Sequence, residues 1–277
     1  MPSIPIPARF MPDGIASWIE TWSKVGDAPE LHLVLPADAY LEPVAIALLA
    51  AGIARRRTLG MRTSMFAEEG SADAIGLLQS VDFFHQLGVE TEGMPDAAPT
   101  RPALPLRRLG NLAIARHQAE ATRAFLEKVV PPIPPNTARA VQFVFEELAA
   151  NIVQHSGAPQ SGFGIVMVDP VTKRIQIAFA DAGVGFRESL GRNAALAGRI
   201  VDDAEAIRLA LDRRASEGNT GAVGMGLLLL STFAERMQGD LWIASGEAMI
   251  VRGVDTFEKT AGWRGAFVSL DARVPGW

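Results

Sequence analysis

The 277-residue sequence contains no cysteine and a single tyrosine. Without cysteine there is no disulfide, no thiolate metal site and no cysteine nucleophile. Basic residues are outnumbered as well, 26 Lys and Arg against 31 Asp and Glu. The formal charge of -5 gives no general attraction to nucleic acid or to an anionic membrane. The short basic runs at 55–57 and 107–108 read as solvated surface. Long apolar runs are missing too: the stretches at 43–54 and 223–230 fall far short of the roughly twenty residues that span a bilayer. The opening MPSIPIPARF has prolines where a signal peptide needs a basic region followed by an apolar helix. A soluble cytoplasmic protein is the expectation. No Gly-x-x-x-x-Gly-Lys-Ser/Thr loop occurs anywhere, which excludes a P-loop enzyme.

What is present is a globular composition, 48% hydrophobic and 21% charged, with enough chain for two modest domains. The most informative stretch is FEELAANIVQHS at 145–156. Val141, Val144, Leu148 and Ile152 recur at spacings of three and four, which predicts a helix with one apolar face. Glu147, Asn151 and His155 stand four apart and form a polar edge beside it. A carboxylate one turn from a carboxamide can serve two purposes: the first can take a proton, and the second can ligate a hard cation such as Mg²⁺. By itself this edge could also do no more than meet water.

Two glycine-bearing motifs follow. GFGIVMVD and RIQIAFAD alternate as the strands of an antiparallel hairpin, with Ile175, Ile177 and Phe179 facing one way and Gln176, Ala178 and Ala180 the other. The second strand runs directly into DAGVGF at 181–186. Further on, SEGNTGAVGMG offers several small residues and backbone N–H groups just before the apolar helix LLLLSTFAERM. The Asp-x-Gly-x-Gly motif also opens methyl-donor sites, but Arg187 stands where that pattern continues with glycine. Glu188 breaks the dinucleotide fingerprint in the same way.

Glu-x-x-x-Asn on a helix, Asp-x-Gly-x-Gly after a strand and a second glycine cluster before a helix resemble, in this order, the N, G1 and G2 boxes of the GHKL ATPase superfamily. The resemblance covers about residues 111–277. It implies an α/β sandwich with a mixed, largely antiparallel sheet covered by helices on one face, binding ATP with Mg²⁺. Glu147 would be the catalytic base and Asn151 the magnesium ligand. Asp181 would read adenine, with Gly183, Gly185, Gly224, Met225 and Gly226 shaping the pocket, and the interval 186–220 would form the lid over the phosphates. Gln154 stands where histidine kinases commonly have lysine, and Ala266 where the last strand usually has threonine. These departures turn the resemblance toward anti-sigma-factor serine kinases. His117 lacks an acidic neighbour and a dimerisation hairpin and reads as helix surface, so histidine autophosphorylation is not expected.

Residues 1–26 read as an N-terminal arm. Residues 27–93 alternate strand and helix, as a small α/β domain does. They resemble a STAS domain whose phosphoacceptor turn is replaced by ADAYLEP at 37–43. His32 and His85 there read as structural. The proline-rich stretch 94–110 reads as a linker to the domain at 111–277. Two functional classes stay open: an ATPase or serine/threonine protein kinase acting on a protein partner, and a nucleotide-gated binding switch. A homodimer is compatible with either.

Overall fold

The computed structural model describes residues 2–9, 12–91, 94–99, 101–129, 133–212, 225–251 and 256–274. Four short strands, β1 (Ser3–Pro5), β2 (Glu30–Leu35), β3 (Arg62–Ala67) and β4 (Glu90–Thr91), pair in parallel in that order. Parallel neighbours need crossovers. These are α1 (Pro12–Val25), α2 (Pro43–Thr58) and the pair α3 (Ala72–Ser80) and α4 (Phe83–Leu87). The first strand comes from the segment expected to be an arm: Ile4 pairs with Leu33 and is fully buried. The apolar pattern of 74–87 reads as a single helix closed by Gly88, yet the helix is broken at Asp82, which takes φ 62°, before α4 ends on that left-handed glycine.

The second sheet is antiparallel throughout. Its strands are β5 (Arg107–Arg108), β6 (Phe163–Asp169), β7 (Arg174–Asp181), β8 (Asp240–Val251) and β9 (Thr256–Arg273), in the order β5-β6-β7-β9-β8. Part of the expected linker is therefore sheet. Leu104, Leu106 and Leu109 are buried, and the N–H groups of Leu104 and Leu109 donate to Val166 and Gly162 at 2.9 Å. Proline is tolerated there because an edge strand leaves N–H positions unpaired. The stretches GDLWIASG and AMIV read in sequence as two strands able to pair, yet from Asp240 onward they form one strand, β8. A register irregularity at 245–248, with Gly246 at φ 59°, bends the strand without turning it back.

One face of this sheet carries α5 (Leu112–Lys128), α6 (Pro135–His155), α9 (Asp203–Leu211) and α10 (Met225–Arg236). Between α6 and α10 also lie α7 (Gly185–Gly191) and α8 (Ala194–Ala197). Asn111 caps α5, its Oδ1 accepting the Ile114 N–H at 2.9 Å. Asn136 and Thr137 are residue types that could cap α6, yet neither does, because the helix already starts at Pro135, where proline's missing N–H costs nothing. This is the α/β sandwich that the motif order implies.

The opposite face is covered as well. Ile175, Ile177 and Phe179 pack among α5 and α6, while Ala178, Ala180, Ile165 and Met167 share a core with Ile46, Leu48, Leu49 and Ile53 of α2. Both faces of β7 are thus buried. The helix α2 lies between the two sheets and is apolar nearly all round, as a doubly covered helix must be. Each of its fully buried Leu and Ile side chains contributes about 1.5–3 kcal/mol by leaving water, so the two units share one hydrophobic interior.

Arg56 corrects the expectation of a solvated basic run at 55–57. Its side chain is fully buried and donates to the carbonyls of Gly26, Ala28 and Arg62 and to Thr63 Oγ1. Burial pushes its pKa down from the ordinary arginine range. Three carbonyls converging on one fork hold the charge there. Among the described residues no helix is long and apolar enough to cross a membrane.

Candidate functional site

The helix α6 ends at His155, and its next carbonyl, that of Ser156, accepts the Val184 N–H at 2.8 Å. The loop after β7 is therefore clamped to the helix end. Gly183 makes this approach possible, because a Cβ built on it would stand 2.0 Å from the Ser156 carbonyl oxygen. At the end of β7, Asp181 is buried, with 6% of its surface exposed. Its Oδ1 accepts the Gly183 N–H at 2.8 Å, and the Ala266 N–H also reaches the carboxylate. Burial outweighs both hydrogen bonds and pushes its pKa up from 3.8 to about 6.

Between α6, the start of α7, α9 and β9 lies a cleft that Asp181, Asn151 and Gly185 line together. Its remaining wall is largely apolar, with Leu148, Ile152 and Phe179 among the contributors. An apolar slot with few convergent polar groups is the usual form of a small-molecule site. His155 also lines it, half-buried, and its Nε2 has no hydrogen-bond partner among the described residues. Burial first, and then the Arg192 charge, pull its pKa below the ordinary histidine value, which favours the neutral ring. The spacing of 147, 151 and 155 placed this histidine on the correct edge but gave it no role.

Glu147 lies one turn before Asn151, outside the cleft wall. Gly226, in the first turn of α10, joins the two: a Cβ there would stand 3.0 Å from the Glu147 Cβ and 3.2 Å from the Asn151 Nδ2. The start of α10 is thereby pressed against the polar edge of α6. Burial, then the neighbouring Glu146 charge, raise the Glu147 pKa above the ordinary carboxylate range. Met225 opens α10, and Gly224 lies outside the described residues, as do residues 213–220 of the expected lid.

Motif matching overlooked the residues beneath the loop. Gly185, at φ 74°, sits over Ser245, whose Oγ accepts the Phe186 N–H at 2.8 Å and donates to the Gly265 carbonyl at 3.0 Å. Trp263 Nε1 donates to the Asp181 carbonyl at 2.9 Å. Its ring stands 6.2 Å from that of Trp18 on α1, which in turn lies 4.9 Å from Trp22. The N-terminal unit thus touches the residue that holds the floor of the cleft. No local pattern marks Trp263, since its partner is 82 residues away. Trp263→Phe should remove this hydrogen bond and part of the indole's packing, lowering stability by about 1–3 kcal/mol or more in denaturant unfolding. Unchanged stability would show that this bond contributes nothing.

No curated protein matches the chain. Residues 136–262 match the family model described as histidine kinase-, DNA gyrase B-, and HSP90-like ATPase. That span contains nearly all of α6, with Glu147 and Asn151, the loop after β7 with Asp181, Gly183 and Gly185, and the start of α10; Trp263 follows it directly. With the motif order, the antiparallel sheet under its helices and the cleft between them all in agreement, residues 136–262 are a domain of the GHKL ATPase type.

Proposed function

We propose that the chain is an ATP-binding regulatory protein whose GHKL domain acts as an ATPase or as a serine/threonine protein kinase of the anti-sigma-factor type. The observation that carries this reading is the buried Asp181 carboxylate in an apolar cleft that also contains the Asn151 carboxamide. Such a carboxylate accepts a hydrogen bond from an exocyclic amino group, as adenine carries, and repels the carbonyl that guanine has there. Gly183 and Gly185 let the loop close on Ser156 and on Ser245 and Gly265, which holds Asp181 at the cleft. Asn151 would hold Mg²⁺ through its amide oxygen, and Mg²⁺, when bound, supplies charge neutralisation of the phosphates. Met225, Gly226 and the sequence at Gly224 would bring the N-terminal end of α10 toward the same phosphates.

In this proposal Glu147 is the general base. Burial raises its pKa, which makes the carboxylate a stronger base. It would accept the proton of a water, giving ATP hydrolysis, or of a serine or threonine hydroxyl on a partner protein, giving phosphoryl transfer. The parallel N-terminal unit would then be a STAS-like docking module. At its turn 37–43 the phosphoacceptor is missing, so the acceptor would belong to another chain.

A second reading has its own observation. The Trp22–Trp18–Trp263–Asp181 contact joins α1 to the cleft floor, which favours a switch that uses nucleotide binding only to change the N-terminal unit. Incubation with labelled ATP and candidate partners, beside a Glu147→Ala control, separates the two. Phosphate released or transferred by the wild type and reduced at least about a hundredfold in the variant excludes the pure switch. Tight ATP binding with neither product excludes the enzyme.

A further inference from the structure

A second groove lies away from the nucleotide cleft, where the two units meet. It is enclosed by the end of α2, by α4, by the segment 104–108 and by α5. Its wall contains Arg57, Arg107, Arg108, His85 and His117 and not one Asp or Glu. In a chain of formal charge -5, a wall with three arginines and no carboxylate is a local reversal of sign. Asp82 stands just outside it, and its carboxylate is already engaged, 3.6 Å from Arg107, 3.4 Å from His85 and 2.8 Å from Gln86 Nε2.

The guanidiniums of Arg57 and Arg108 have no ion pair and no hydrogen bond among the described residues. Arg108 lies 5.9 Å from the Phe163 ring, half-buried. Burial, and then the Arg57 charge, lower its pKa from the ordinary arginine value. Two like charges lining one groove, with no counter-charge paired to them among the described residues, oppose folding, and an anion between them would reverse the sign of that contribution. Arginine's planar fork suits an oxyanion that accepts several hydrogen bonds at once. The segments that would contact such an anion come from both units.

We propose that this groove is a binding site for a phosphate group, placed so that its occupant bridges the N-terminal unit and the GHKL domain. The phosphate could be carried by a small ester or by a phosphorylated side chain of another protein. Both present the same dianion.

Calorimetric titration of the full chain with inorganic pyrophosphate, and separately with a short serine-phosphorylated peptide and its unphosphorylated twin, tests this. Binding of pyrophosphate or phosphopeptide that weakens as salt is raised is expected. Arg57→Gln/Arg108→Gln should weaken it at least about tenfold, while Asn151→Ala, in the other cleft, leaves it unchanged. Tighter binding of the peptide assigns the phosphate to a protein partner, and tighter binding of pyrophosphate assigns it to a small ester. The ligand-free double variant should melt at the same temperature or higher, since it loses a repulsion; a purely structural role for these arginines would lower it. Arg57→Gln alone, at an exposed position, keeps the test available should the double variant fail to fold. Failure of both probes to bind the wild type overturns the proposal, as does binding that Asn151→Ala abolishes and the arginine variants retain.

Discussion

Asp181→Asn should lower ATP affinity by about 10- to 150-fold, the equivalent of losing one charge-assisted hydrogen bond worth about 1.5–3 kcal/mol. The amide can keep one oxygen on the Gly183 N–H, but its NH₂ then opposes both the Ala266 N–H and an incoming adenine amino group. GTP, whose carbonyl the carboxylate repels, should bind the amide variant as well or better, so the preference for ATP collapses. Calorimetry with both nucleotides measures this directly. An unchanged ATP to GTP ratio would remove Asp181 from base recognition.

The same carboxylate makes two pH trends run in opposite directions. Its pKa is 3.8 in the open chain and about 6 in the fold. Between these values the folded protein holds a proton that the unfolded chain has lost. Stability from this group is therefore present below about pH 4 and lost as pH rises toward 6, a change of about 3 kcal/mol at about 1.4 kcal/mol per pH unit. ATP affinity should move the other way, rising through pH 6 as the carboxylate ionises, with proton release on binding below that pH. Both trends should vanish in Asp181→Asn.

Gly265→Ala is expected to have the largest effect on the fold. The residue sits at φ 108°, where an L side chain is strained, and a Cβ there would stand 2.2 Å from the Asp181 carbonyl oxygen and 2.7 Å from the Gly183 nitrogen. Backbone strain of roughly 1–3 kcal/mol and overpacking of roughly 1–3 kcal/mol act together. Relief would require the Asp181 carbonyl to leave Trp263 Nε1, which dismantles the cleft floor. Thermal unfolding should show a drop of about 2–6 kcal/mol, and ATP binding should be lost with it. Gly191→Ala is the contrast, since a Cβ at Gly191 meets nothing within 4 Å; it should be neutral or stabilise α7 by up to about 1 kcal/mol. Equal behaviour of the two variants would refute the close-approach argument.

The features that could be inferred locally share a physical property: they depend on residues a few positions apart. Helical periodicity put Glu147, Asn151 and His155 on one edge, and strand alternation carried the chain to Asp181 at the mouth of a loop. The helix break at Asp82 and the uncapped start of α6 escaped, because a left-handed turn and a proline start are weak signals beside strong apolar patterns. Residues 107–108 read as linker because prolines nearby mask the alternation of Leu104 and Leu106.

By itself, then, the amino-acid sequence determined the composition class, the absence of thiol chemistry, the order of the three boxes and the periods that shape the elements around them. Tertiary structure alone decided which surfaces those elements cover. The helix α2, apolar on all sides, could have been the core of a separate domain, yet it closes the second face of the GHKL sheet. Arg56 reads as surface in a basic run and is instead enclosed by three carbonyls, two from the turn after α1 and one from the start of β3. Trp263 meets Asp181 across 82 residues, and the arginines at 57 and 108 share one groove. Burial and charge neighbours are properties of packing between distant segments, and no short window of residues carries them.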